Sequence, residues 1–409
     1  MPMPNILSWE DLSDLQSNDI DRVNGITNSY SNLRLFGHKE SDAKLIFYRD
    51  RHAWCPYCQK IWLWLELKQI PYKIKKINMF CYGKKEPWFL EKVRSGKLPA
   101  IELDGKIITE SDEIIYNLEK KYGFLSTSIN ATEFQETRRI ERDIFRSWCE
   151  WLCRRNSMFS SIDNRKINLK KSLQKLENLL EQSETGLIDP FYDSDGIIRP
   201  GTGDVIFIPY LERINASLCY YKGFDLRSEF PLINKWFSLL EKEKAYLGTQ
   251  GDFHTHSHDL PPQMGGCFKE VNEKQIYFAK SIDSGKGLGN LELNSEIDNE
   301  YYSKFALMRV IKHKEKIINI NPSDNGEFDI ALRSALTYML NNEINIPDNC
   351  CGKGLRYLRD RISVPRDMPL LSARNLRQSL EKIASFDDSN ETYAIPFNHR
   401  YDQNPKDFN

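Results

Sequence analysis

A strand-like run, Lys44-Leu45-Ile46-Phe47-Tyr48, leads into Trp54-Cys55-Pro56-Tyr57-Cys58, and a helix-like run rich in Leu, Ile and Trp follows from Gln59 to Gln69. A strand that ends in Cys-x-x-Cys and opens a helix puts its first cysteine at the helix N-terminus. There the unpaired N–H groups and the positive end of the helix dipole favour a thiolate. Pro56 falls where its fixed φ suits a first helical turn and its missing N–H costs nothing. Arg51 and His52 are expected to help hold negative charge. Cys55 therefore reads as a nucleophile and Cys58, one turn further in, as a candidate resolving thiol. A zinc half-site would need a second ligand pair, and the remaining seven of the nine cysteines form no further Cys-x-x-Cys. The redox reading is the stronger one.

At 409 residues the chain has room for two or three domains. With 40% hydrophobic and 28% charged residues it is globular rather than disordered in composition. A net charge of −1 argues against general nucleic-acid binding. No apolar run approaches bilayer-spanning length. The start, Met1-Pro2-Met3-Pro4-Asn5, has neither a basic stretch before an apolar core nor an Arg-rich transit pattern. An odd number of scattered cysteines fits a reducing compartment, so a cytoplasmic location is expected.

Residues 1–43 read as an arm packed on the next domain, with Ser8 capping a short helix and Asp11 at its third position. Residues 44–123 alternate strand and helix patterns: Lys44–Asp50, Pro56–Gln69, Tyr72–Met79, Glu86–Val93, Leu98–Leu103, Lys106–Thr109 and Ser111–Tyr122, with Asp104-Gly105 as a hairpin turn and Gly123 as a helix stop. The order βαβαββα is that of a thioredoxin-like fold. Residues 130–250 carry helical stripes over Thr132–Asn156, Leu169–Leu180, Asp204–Tyr221 and Pro231–Leu240, while 186–202 reads as a loop. The predicted class is therefore α/β plus all-α: a thioredoxin-like domain (44–123), an all-helical domain (130–250), a His/Pro/Gly-rich connecting segment (251–268) and a mainly helical extra domain (269–409). Helix-like stretches recur in the last at Asn299–Lys314, Asp329–Asn341, Gly352–Arg361 and Ser372–Ser385.

The N-terminal 250 residues resemble a soluble glutathione transferase of the cysteine type, the branch that includes the omega class. Cys55-Pro56-Tyr57-Cys58 carries the resemblance, with Leu98-Pro99 before a strand, Glu110-Ser111 opening a helix and Gly201-Thr202-Gly203-Asp204 at the start of a long helix. The Cys-Pro-Tyr-Cys motif, the Ser-Trp-Glu arm and the long C-terminal region together look like the iota class of cyanobacteria and early-diverging photosynthetic eukaryotes. The resemblance implies glutathione as co-substrate. It implies a cis Pro99, so that the Leu98 backbone pairs with the cysteinyl part of glutathione. It implies Glu110 and Ser111 at the γ-glutamyl end, a role a carboxylate, a hydroxyl and a helix N-terminus suit. Lys85 matches the contact to the glycyl end, with Lys97 as a competing cation. Asp204 matches the acidic cap of the core helix, a folding role, although Gly201 stands where Ser or Thr is usual.

These residues point to a thiol transferase or reductase: Cys55 takes up glutathione as a mixed disulfide, and a second glutathione releases it. Deglutathionylation and dehydroascorbate- or quinone-type reduction fit this chemistry. The substrate pocket is expected between the two halves, lined by Tyr57 and by Arg146, Trp148, Trp151 and Tyr210, although the tryptophans' spacing also fits core packing. The alternative is a ligandin-like protein for aromatic or tetrapyrrole-like molecules, with the extra domain shaping the pocket; a scaffold role is a third. No membrane partner is expected, and monomer and homodimer both stay open.

Two segments lie outside this reading. His254-x-His256-x-His258-Asp259 could bind a metal as an extended strand, but a loop packed on the transferase body and closing its pocket is the expectation, and no metal is assigned. Residues 350–380 hold six Arg and one Lys against Asp360 and Asp367. Arg–Asp pairing that fixes this region to the rest of the chain is favoured over an anion site or a patch for acidic partners.

Overall fold

A computed structural model describes residues 6–155, 164–288 and 296–403. Helix α1 (Trp9–Leu15) is capped by Ser8, whose Oγ accepts from Asp11 N while Asp11 Oδ2 accepts from Ser8 N. The arm does not simply rest on the next domain as expected. Leu12 is buried among the C-terminal helices, Leu7 N donates to Thr337 Oγ1 and Trp9 Nε1 donates to Asp329. The arm's later residues supply β1 (Leu33–Arg34), which pairs antiparallel with β3. Buried Arg34 forks onto the Glu66 carboxylate.

The sheet continues with β2 (Leu45–Asp50), α2 (Pro56–Lys68), β3 (Tyr72–Ile77), α3 (Pro87–Lys92), β4 (Ala100–Leu103), β5 (Lys106–Thr109) and α4 (Ser111–Tyr122). Its order is β1-β3-β2-β4-β5, with β2 and β3 parallel and the other pairs antiparallel. Phe47 lies opposite both Ile74 and Ile101, so the central strand is hydrophobic on register as well as by composition. This is the thioredoxin-like fold the alternation predicts. The Leu98–Pro99 peptide is cis.

Helices α5 (Gln135–Cys153), α6 (Asn164–Glu181) and α7 (Thr202–Lys222) follow; Asn156, the expected end of the first, lies outside the described residues. The presumed loop 186–202 contains a small hairpin, β6 (Phe191–Tyr192) with β7 (Ile198–Arg199). Its Asp193 accepts from the N–H of Asp195 and Ile197, a turn chemistry that pattern reading of an Asp/Gly/Pro stretch does not separate from loop. Asp204 accepts from Gly201 N, Ile188 N, Asp189 N and Trp236 Nε1. Gly201 is forced here, because a Cβ at this position would sit 1.9 Å from the Asp189 carbonyl oxygen.

Then come α8 (Leu226–Glu229), α9 (Pro231–Leu240), α10 (Lys244–Thr249) and α11 (Phe253–Met264). The last overturns the loop expected over 251–268, and the extended-strand geometry weighed for its histidines. Asp252 caps the helix by accepting from Thr255 N, Gly265 ends it in the left-handed conformation, and both Pro261 and Pro262 lie inside it. Proline inside a helix removes a hydrogen bond; burial of Leu260 and His256 against α7 opposes that cost. Helix α12 (Glu273–Asp283), which sequence reading missed, also packs on α7. Helices α13 (Glu296–Ile320), α14 (Asn325–Asn341), α15 (Gly352–Arg359) and α16 (Leu370–Ala384) form a second hydrophobic core that includes Leu12. No helix among the described residues is long and apolar enough to cross a membrane.

Candidate functional site

Cys55 occupies the N-cap of α2, and Cys58 N donates to its Sγ at 3.4 Å. Its sulfur opens on a cleft of about 820 Å³ between the sheet domain and the helical domain. Arg213 of α7 locks the motif in place, donating to Trp54 O and to Gln59 Oε1, each at 2.7 Å. Cys58 does not face the cleft; it is 1% exposed behind Cys55. Burial first, and then Cys55 and the Asp50 carboxylate, push its thiol well above the ordinary range. The sulfurs of both cysteines and an Asp50 oxygen lie within 4.8 Å of one another.

The environment expected around the motif is only partly present. His52 adds no positive charge: burial drives its pKa down to about 3. Its ring packs against Trp54 and Tyr82, and its Nε2 donates to Gln403 O at 2.8 Å. Arg51 is engaged by Glu86 at 3.2 Å. Lys85 is the cation whose charge couples to both thiols, although burial is the larger influence and lowers its pKa.

Lys85, Lys97, Leu98, Pro99, Glu110 and Ser111 all line the cleft, with Tyr57, Trp148 and Tyr210. Glu110, at φ 64°, immediately precedes α4, and Lys97 Nζ lies 3.3 Å from its Oε1, both largely exposed. Ser111 accepts from buried Lys60 Nζ at 3.1 Å, and the same ammonium meets Asp112 at 2.9 Å. Two expected pocket residues are elsewhere. Trp151 is buried in the core, donating to Glu270 and packing on Phe224, because its part of the α5 stripe is covered by α6, α7 and the segment after α7 rather than opening on the cleft. Arg146 is exposed and opens on an adjoining groove with Cys149 and Cys153. Arg142, one turn earlier, occupies the cleft wall with Phe145, its guanidinium 5.2 Å from the centre of the Tyr210 ring.

Lys60, Asp112, Arg142 and Arg213 were missed, although a lysine inside the apolar run of α2 and an Arg one turn from Arg146 were available signals. Leu260, Pro262, Gln263 and Met264 of α11 also form cleft wall. No local signal marks them, because Pro-Pro reads as a break in structure.

The site thus joins a cysteine at a helix N-cap to a cis-proline turn and a second helix start, on a thioredoxin-like sheet packed on an all-helical domain. Residues 54–121 match the model of the glutathione S-transferase N-terminal domain and residues 160–238 that of the C-terminal domain. The chain is 28% identical over 196 residues to glutathione S-transferase DHAR2 of Arabidopsis thaliana, covering 48% of this chain and 84% of that one. It is 27% identical over 211 residues to probable glutathione transferase omega-2 of Caenorhabditis elegans, covering 48% and 77%. Among solved structures, Chlamydomonas reinhardtii dehydroascorbate reductase superposes with TM-score 0.40 and 23% identity, covering 49% of this chain and 90% of that one. A glutathione transferase homolog from Lodderomyces elongisporus, solved with two GSH per subunit, superposes with TM-score 0.38 and 17% identity, covering 50% and 96%. The chain thus carries the N- and C-terminal domains of a glutathione S-transferase, with homology to the DHAR and omega-class enzymes.

Proposed function

We propose that this protein is a cysteine-type, glutathione-dependent thiol transferase, most like the iota class in motif and architecture, working through a Cys55–glutathione mixed disulfide. The observation that carries the reading is the Cys55 sulfur at the α2 N-cap, open to a cleft that also holds the cis Leu98–Pro99 turn and the Glu110–Ser111 helix start. Leu98 backbone groups pair with the cysteinyl portion of glutathione. Glu110 receives its ammonium, and Ser111, oriented by Lys60, receives the γ-glutamyl carboxylate. Lys85 meets the glycyl carboxylate, and Lys97 holds Glu110.

In the reaction the Cys55 thiolate attacks the glutathione sulfur of a mixed disulfide. A Cys55–S–glutathione bond forms, the substrate S–S bond breaks, and the substrate leaves as a thiolate. A second glutathione thiolate then attacks that sulfur, releasing Cys55 thiolate and glutathione disulfide. This exchange consumes one free glutathione, because the other half of the glutathione disulfide arrived on the substrate. Dehydroascorbate- or quinone-type reduction instead takes two electrons from two free glutathiones, which leave as the same disulfide, and the DHAR homology supports it. Cys58, buried and held as a thiol, is dispensable to this monothiol route. The nine cysteines, all free thiols, support a reducing, cytoplasmic setting.

Intact mass spectrometry after exposure to oxidised glutathione tests the assignment. One glutathione adduct, missing in Cys55→Ser and released by reduced glutathione, is expected. An adduct on another cysteine, or none on folded protein, sinks the reading and favours the ligand-binding alternative, which the aromatic wall of Phe80, Phe145, Trp148 and Tyr210 supports.

A further inference from the structure

Helix α11 places His254 and His258 four residues apart, hence on one face. Their ring centres are 4.7 Å apart. Asp283, the last residue of α12, reaches the same point: His258 Nε2 lies 2.9 Å from Asp283 Oδ1. One donor atom from each of the three residues falls within 4.8 Å of the other two. His254 is 4% exposed, and its Nε2 has no hydrogen-bond partner. A buried imidazole nitrogen without a partner is costly unless something occupies it.

We propose that His254, His258 and Asp283 form a binding site for a divalent transition-metal ion, zinc first. Two imidazoles and one carboxylate are a borderline donor set, suited to zinc and poor for calcium or magnesium. With bonds of about 2.0–2.2 Å, neighbouring donors on a tetrahedral ion lie about 3.3 Å apart. The His258–Asp283 separation of 2.9 Å is already near that value, and the His254 donor lies within 4.8 Å of both.

Surrounding groups fit the same use. Tyr220 Oη donates to Asp283 Oδ2 at 3.1 Å, which leaves Oδ1 to face the ion. Asp360 Oδ1 stands 3.8 Å from His254 Nε2 but is claimed by Arg359 at 2.7 Å, so the fourth position falls to water. Arg377 is the opposing cation, and Asp252 neutralises it by a direct ion pair. The ion would pin the first turn of α11 to α12; the last turn of α11 is cleft wall.

The test uses full-length, untagged protein, stripped with chelator and titrated with Co²⁺. Saturation at a single Co²⁺ per chain is expected, with visible bands of tetrahedral intensity and no thiolate-to-cobalt charge transfer. Zn²⁺ should displace it. His258→Ala and Asp283→Asn should remove binding, and Tyr220→Phe, which keeps the ligands and the packing, should weaken it about tenfold. A charge-transfer band would place the metal at Cys55, Cys58 and Asp50 instead and overturn the proposal. So would the absence of saturable binding, or unchanged affinity in a folded His258→Ala protein. If both ligand variants fail to fold, the wild-type spectrum and Tyr220→Phe decide.

Discussion

The cleft around Cys55 and the seam between α11 and the C-terminal helices are both rich in charge, yet they use it in opposite ways. At the cleft rim, Lys97 and Glu110 pair with each other, with 70% and 65% of their side chains exposed. In the seam, Arg377 is buried on Asp252 and the Ile362 carbonyl. Arg356 engages Glu381 with the carbonyls of Ser389 and Ala384, and Arg366 takes Asp367. The bland reading of the arginine-rich segment therefore holds, with Glu381, Asp252 and Asp402 as partners beyond the two aspartates expected. Charge density does not mark a site. What separates the two regions is whether each cation is buried on several partners or left in water against one.

The comparison breaks most visibly at Cys55. Cys55→Ser should lower glutathione-dependent thiol transfer by at least about three orders of magnitude with an unchanged melting temperature, whereas Cys58→Ser should keep most of the activity. Activity assays beside thermal melts read both, and a large loss in Cys58→Ser would show that the buried thiol takes part. Next in size, Arg377→Ala leaves Asp252 buried without its partner and should cost about 3–5 kcal/mol in urea unfolding. A loss under about 1 kcal/mol would remove the contrast between seam and cleft.

Acid should act on the buried neutral histidines. His52 and His254 have folded pKa values of about 3 and about 4, below their unfolded value near 6.5. The unfolded chain therefore binds more protons over that range, and stability falls as pH drops from about 6.5 toward 4. Each residue contributes a slope of up to about 1.4 kcal/mol per pH unit. His256 works in the other direction: its pKa is raised although burial and Arg213 lower it, because Glu212 and Asp259 hold the charged form. Stability measured against pH in His52→Leu should show a shallower acid slope than wild type. The smallest effect belongs to the rim. Lys97→Ala should change stability by less than about 0.5 kcal/mol, since exposed pairs are worth little, yet raise KM for glutathione. An unchanged KM would show Lys97 to be a bystander and leave Lys85 as the cation for the ligand.

Much of the N-terminal half was legible because its signals are local. The strand before Cys55, the helix after it, the Asp104-Gly105 turn and the Ser111 helix start are written in neighbouring residues whose backbone preferences agree with the fold. Asp204 was legible as a cap, but the reason for Gly201 was not, since it is the approach of Asp189, twelve positions earlier, that excludes a side chain. Trp148 and Trp151 share one stripe, and only packing decides that Trp148 touches the cleft while Trp151 turns to Glu270.

The sequence by itself determined the order of the sheet elements and most of the residues that line the cleft beside Cys55, the proposed nucleophile. Each depends on chemistry carried within a few residues. Tertiary structure alone decided that 253–264 is a helix despite two prolines, that it walls the cleft at one end and gathers histidines at the other, that His52 is neutral and that Cys58 is sealed. Those outcomes depend on burial and on partners dozens to hundreds of residues away, such as Gln403 for His52 and Asp252 for Arg377. No local pattern encodes which distant surface will exclude the water.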